Sequence, residues 1–205
     1  MSLSGAKLAG SNPKNHRIEN DFYATDPKAV EMILNSGAFD FYRNPSIKIL
    51  EPCVGEGHII KEVIDYYKEK NNIEYTTLDI VDRDFPDTIV CDFLNWEFDK
   101  KYDLIITNPP YSLATEFVEK SMSGLSDKGY LAMFLKIQFL EGKKREELFK
   151  KYPPKYIYVF RNRMATWNNG QPKDPETGKK WATTMCHAWF IWQKDSTTEP
   201  IVRWL

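Results

Sequence analysis

From residue 27 onward, apolar runs of strand length alternate with segments of helical period along most of the chain. Parallel strands need crossover connections of a dozen or more residues, which helices supply, so this alternation specifies an α/β doubly wound sheet covered on both faces. Strands are predicted over 47–50, 75–80, 88–91, 103–107, 129–135, 155–160 and 186–193. Helices are predicted over 27–37, 58–69, 113–123 and 142–151. The first helix has Asp26 as N-cap, Pro27 at N1, Val30, Ile33 and Leu34 on one face, and Gly37 at its end. Between the last two strands lie 25 residues, 161–185, too many and too polar for a simple connection. The expected organisation is a tail over 1–20 and one domain over 21–205 carrying an inserted loop at 161–185.

Composition narrows the class further. With 42% hydrophobic residues among 205 and no low-complexity tract, the chain can bury a sizeable core. The longest apolar stretch, 130–140, is broken by Lys136 and Gln138, too short and polar to span a bilayer, so no membrane partner is expected. Three cysteines without a CxxC pair argue against a disulfide framework or zinc site, and imply a reducing, cytoplasmic setting. His16, His58 and His187 show no metal-ligand spacing, so no metal is expected. The net charge of -1 hides an asymmetry: residues 1–135 hold 14 basic and 22 acidic side chains, residues 136–205 hold 14 and 7. Near-neutrality therefore does not exclude a polyanionic partner.

The strand–Gly55-x-Gly57–helix segment presents backbone amides and a helix N-terminus to a ligand at the strand ends. A dinucleotide fingerprint would have Gly or Ala at position 60, where this chain has Ile60. Asp79 ends the next strand, placed to accept from ribose hydroxyls. Together these suit a nucleoside cofactor without a pyrophosphate. Glu51 could face an ammonium group and Asp92 an adenine amino group; the alternative for both is capping of a helix or turn. Cys53, although preceded by Pro52, sits inside the glycine loop and is read as structural.

Directly after the strand at 103–107 stands Asn108-Pro109-Pro110-Tyr111. Taken alone, it could be an ordinary turn. With Leu50-Glu51-Pro52-x-x-Gly55-x-Gly57 and Asp21-Phe22-Tyr23-Ala24-Thr25-Asp26-Pro27 upstream, it resembles the S-adenosylmethionine-dependent amino-methyltransferases, most closely the DNA adenine-N6 methyltransferases. The resemblance covers roughly residues 20–193 and has its motifs in the right order. It implies a Rossmann-like class I methyltransferase fold, a mostly parallel doubly wound sheet with an antiparallel last strand. It also implies S-adenosyl-L-methionine as cofactor, with Tyr23 and Thr25 near the methionine carboxylate, Glu51, Gly55 and Gly57 around the methionine part, Asp79 on the ribose, and Asp92 with Phe93 at the adenine. Asn108, Pro109, Pro110 and Tyr111 become catalytic and base-binding, and DNA the expected partner. The same tetrapeptide occurs in enzymes that methylate RNA adenine or a protein glutamine, which remain alternatives.

The chemistry of these residues suits that implication. The lone pair of an exocyclic amine is delocalised into its ring, and two acceptors, the Asn108 side-chain oxygen and the Pro109 carbonyl, can localise it by binding the two amino hydrogens. Proline at 109 and 110 stiffens the geometry. Tyr111 offers a ring on which an extruded base can stack, worth about 1–3 kcal/mol in single-strand binders. At this length no separate recognition domain is expected. Basic residues interleaved with tryptophans in the insert (Arg161, Arg163, Trp167, Lys173, Lys179, Lys180, Trp181), together with Lys143, Lys144 and Arg145, are therefore the candidate nucleic-acid clamp, the alternative being a solvated surface.

Overall fold

The structure, a computed structural model, describes residues 22–41 and 44–205; the tail expected over 1–20 lies outside them. Among the described residues the elements in chain order are β1 (Tyr23–Ala24), α1 (Pro27–Asn35), β2 (Ser46–Glu51), α2 (His58–Tyr67), β3 (Asn72–Asp79), β4 (Ile89–Val90), β5 (Tyr102–Thr107), α3 (Ala114–Gly124), β6 (Leu125–Lys136), α4 (Glu146–Lys151), β7 (Tyr156–Val159), β8 (Trp167–Asn168), β9 (His187–Gln193) and β10 (Ile201–Trp204). Eight strands form one sheet in the order β10-β7-β9-β6-β5-β2-β3-β4. β9 runs antiparallel to both β6 and β7, and every other pair in that sheet is parallel. The winding direction reverses between β2 and β5, the switch point at which open α/β sheets bind ligands.

Strand alternation divides the core cleanly between the two faces. Ile47, Ile49, Leu104, Ile106, Phe134, Trp189 and Ile191 pack on one side, under α1 and α2. Leu50, Ile105, Leu131, Met133, Leu135, Phe190 and Trp192 pack on the other, under α3. α1 starts as its sequence requires, with Asp26 Oδ1 accepting from the Lys28 N–H at 2.9 Å and Pro27 in the first turn. The Trp189 indole crosses to α1 and donates to the Ala29 carbonyl at 2.9 Å, tying sheet to helix inside the core.

The sheet departs from expectation at its margins. The antiparallel strand is present as β9 but is not the last, because β10 follows and adds a parallel edge strand beside β7. All four residues of β10 are exposed, so no buried pattern marks them; backbone bonds such as Leu205 N–H to the Val159 carbonyl (2.9 Å) place the segment. β6 begins at Leu125 rather than residue 129, and β3 at Asn72 rather than 75. The helix expected over 142–151 is a 3-10 turn, Lys143–Arg145, followed by the six-residue α4. No described helix is long and apolar enough to cross a membrane.

Trp189→Ala removes a fully buried indole and its bond to α1. It should lower the unfolding free energy by about 3–5 kcal/mol, measured by denaturant titration, with Trp189→Phe losing less.

Candidate active site

Parallel strands deliver their carboxyl ends to one edge of the sheet. The loop after β2, the end of β3, the turn after β4 and the tetrapeptide after β5 therefore meet there. The antiparallel β9 brings its amino end to the same edge, where His187 stands opposite Lys136.

The glycine loop is shaped by backbone bonds. Val54 N–H donates to the Leu78 carbonyl at 2.9 Å, and Gly57 N–H to the Val54 carbonyl at 2.8 Å. Gly55 (φ +55) and Gly57 (φ +81) are left-handed, and neither has room for a side chain. A Cβ on Gly55 would lie 2.1 Å from the Phe22 ring, and one on Gly57 2.2 Å from Phe85. Asp79 holds the loop to β3: Oδ2 accepts from the Gly55 N–H at 2.8 Å and Oδ1 from the Val81 N–H at 3.1 Å. The Ile80 side chain, immediately after it, is 62% exposed and offers an apolar surface that sequence reasoning passed over.

Several polar groups at this edge are buried without partners: Glu51 Oε2, Thr25 Oγ1, Thr77 Oγ1 and His58 Nδ1. Glu51 lies opposite Thr77 in the β2–β3 register and is 1% exposed. Burial, reinforced by the Asp79 charge and opposed by a backbone hydrogen bond to Ile60, holds its carboxyl well above the usual range. Burial also lowers the His58 pKa, keeping the imidazole neutral, and pushes the Cys53 thiol up, as befits a structural cysteine.

Asn108 leaves the end of β5 with its Nδ2 donating to the Tyr23 carbonyl at 2.9 Å, so its oxygen is the end of the amide available as an acceptor. Pro109 is buried, Pro110 exposed, and Tyr111 half-buried. The Lys136 ammonium lies 5.1 Å from the Tyr111 ring centre and the His187 ring 6.1 Å away. Burial keeps the Tyr111 phenol protonated. His187, buried and stacked on Phe134 at 4.9 Å, donates its Nδ1–H to the Met164 carbonyl at 2.9 Å. Its place beside Tyr111 had no sequence signal, since β9 reads as a plain core strand.

The remaining expected residues lie around these elements. Asp92 caps the turn Phe93–Asn95, accepting from the Leu94 N–H at 2.9 Å and the Asn95 amide at 2.8 Å. Phe93 is core, its ring 5.0 Å from Phe117. Within the insert, Arg163 donates to the Thr184 carbonyl and Cys186 Sγ, closing the base of the connection. Trp167 is half-buried, edge-on to His58 at 5.6 Å. Arg145 lies over Phe139 and donates to the Glu141 carbonyl. Lys143, Lys144, Arg161, Lys179 and Lys180 are exposed, the last two on a hairpin where Lys173 bridges to Lys180.

The fold is that of the class I S-adenosylmethionine-dependent methyltransferases, and S-adenosyl-L-methionine is the cofactor that goes with it. A protein from Listeria monocytogenes described as such a methyltransferase superposes with a TM-score of 0.65 at 16% identity, over 97% of this chain and 68% of that one. The methyltransferase subunit of a type I restriction-modification system from Streptococcus thermophilus superposes with a TM-score of 0.62 at 15% identity, over 88% of this chain and 47% of its own. By sequence the chain is 30% identical over 154 residues to the type II methyltransferase M.CvrRI of Paramecium bursaria Chlorella virus XZ-6E, covering 63% of this chain. It spans 40% of that relative's length. The likeness to a methyltransferase thus extends beyond the motifs to 154 residues of the sequence. No family model matches the sequence.

The residues present fit that cofactor: the glycine loop, held against Phe22 and Phe85 by its left-handed backbone, lies at the switch point, and the buried Glu51 Oε2, without a partner, suits a cationic group. Because the folded-state pKa of Glu51 is raised, the folded protein binds more protons than the unfolded chain above pH 4.5. This raised pKa makes stability fall as pH climbs through the window above 4.5. Glu51→Gln should flatten that dependence and raise the melting temperature at neutral pH, as thermal unfolding from about pH 4 to 8 will show.

Proposed function

We propose that the chain transfers a methyl group from S-adenosyl-L-methionine to the exocyclic N6 amine of adenine in DNA. The observation that carries this reading is the orientation of Asn108, whose NH2 is held by the Tyr23 carbonyl beside the glycine loop and Asp79. The cofactor supplies an electrophilic methyl on a sulfonium. Asn108 Oδ1 and the Pro109 carbonyl accept the two amino hydrogens, drawing the nitrogen toward a pyramidal geometry with its lone pair available. Tyr111 stacks on the extruded base, offsetting part of the few kcal/mol that extrusion takes. Thr25 and Glu51 bind the polar end of the methionine moiety, and Asp79 takes ribose hydroxyls with the acceptor capacity that its two backbone bonds leave.

The deciding experiment incubates the protein with labelled S-adenosylmethionine and, separately, unmethylated DNA, ribosomal RNA and release-factor protein, followed by mass spectrometry of the product. N6-methyladenine in DNA is expected; label in the RNA or in a glutamine side chain would reassign the acceptor. Asn108→Ala should abolish turnover while cofactor affinity is retained, and undiminished turnover would sink the mechanism.

The exposed lysines and Arg161 lie on connections that follow β6 and β7, on one flank of the edge at which Asn108 sits, a disposition that suits phosphate binding. Replacing Lys143, Lys144, Arg161, Lys179 and Lys180 with Ala should weaken DNA binding and flatten its salt dependence, by about 0.9 in log–log slope for each phosphate no longer neutralised. Titrations from low to moderate salt measure both, and an unchanged slope would remove these residues from the interface.

A further inference from the structure

The 161–186 connection is tied to the catalytic asparagine through two residues at the start of the described chain. Asn108 Nδ2 donates to the carbonyl of Tyr23, and Tyr23 belongs to β1, whose strand partner is β8 of the insert. The pairing sets Tyr23 opposite Asn168 and Ala24 opposite Trp167, and the Asn169 N–H donates to the Phe22 carbonyl at 2.9 Å. β8 is itself docked. Trp167 meets the first side chain of α2, His58, edge-on. The left-handed pair Asn169 (φ +49) and Gly170 (φ +69) then turns the chain so closely onto Glu56 that a Cβ on Gly170 would lie 2.1 Å from the carboxylate.

An asparagine amide can turn over and exchange its acceptor for its donor. With the NH2 group facing an amine, donor would meet donor, and the hydrogen bond that localises the lone pair would be lost. The Tyr23 carbonyl prevents this by engaging Nδ2, provided β1 is held in place. We propose that β8 is a positioning element for Asn108, in which Trp167 and the Asn169 N–H fix β1 and so determine which end of the catalytic amide faces the substrate. This rests on the methyl-transfer reading above, and it moves Trp167 from the nucleic-acid surface to the interior support of the site.

The test pairs a spectroscopic readout with kinetics. The Asn108 side-chain amide is assigned by its disappearance from the nitrogen–proton NMR spectrum of Asn108→Ala. Its hydrogen-bonded shift should be lost in Trp167→Ala and in Asn169→Pro, which removes the N–H and cannot adopt a positive φ. The shift should persist in Trp167→Phe and in Asn169→Gly, which keeps both the N–H and the left-handed conformation. The first two variants should lose about 10- to 100-fold in kcat, the usual consequence of a misplaced catalytic group, with cofactor Kd changed by less than about threefold. The Phe and Gly variants should be close to the wild type. An unmoved Asn108 resonance in the Ala and Pro variants, or a moved resonance with unchanged kcat, overturns the proposal. If the wild type methylates none of the acceptors, the functional reading fails, while the resonance still decides whether β8 holds the amide.

Discussion

The Gly55 N–H donates to the Asp79 carboxylate at 2.8 Å, and this bond joins the loop leaving β2 to the end of β3. In a parallel sheet the strand ends share an edge but their loops diverge, so side chain–backbone bonds of this kind give the edge a defined shape. With Asp79 fixed on one side, the loop closes against Phe22 on the other, and Phe22 is backed by Arg83, whose guanidinium lies 4.8 Å from the ring centre. The neighbouring residue, Tyr23, gives its carbonyl to Asn108. One short segment of extended chain thus touches the glycine loop, the tetrapeptide and the insert.

The edge is assembled at a local energetic cost. A buried polar atom without a partner is destabilising by about 1–3 kcal/mol, and Glu51, Thr25, Thr77 and His58 each contribute one. Beneath them the sheet is covered on both faces by contiguous apolar clusters, so these penalties fall on the rim of a well-packed scaffold. A packed apolar interior with several unsatisfied polar groups at the strands' carboxyl ends is what a site that receives a polar ligand requires. A ligand that partners those groups stabilises the fold by mass action as it binds.

The buried parts of this fold were legible because burial leaves a pattern. Strands with both faces covered read as apolar runs, and α1 declares its start through Asp26 and Pro27. The places of the glycine loop, Asp79 and Asn108 at strand ends were legible because each follows or ends an apolar run of strand length. β10 was not, since four exposed side chains carry no alternation and only the backbone of β7 defines the strand. β8 was hidden for a related reason: a two-residue strand is specified by a partner far away along the chain, in the pairing of Tyr23 with Asn168. Asp92, Phe93, Arg163 and Trp167 also pack or hydrogen-bond within the protein, contacts that spacing along a chain does not encode.

The charge asymmetry gains meaning from this geometry. The acidic first 135 residues contribute Glu51 and Asp79, a carboxyl pair whose mutual repulsion helps raise the Glu51 pKa and favours a cation between the glycine loop and β3. The basic remainder contributes Lys143, Lys144, Arg161, Lys179 and Lys180, exposed on connections that leave β6 and β7 at the same edge. Were the sheet antiparallel throughout, the connections would alternate between opposite edges and the two charge populations would be spread over both. The parallel winding instead sets an acidic flank at β2 and β3 beside a basic flank at β6 and β7, with Asn108, at the end of β5, between them. That arrangement suits a small cationic cofactor and a polyanionic acceptor approaching one nitrogen from different sides.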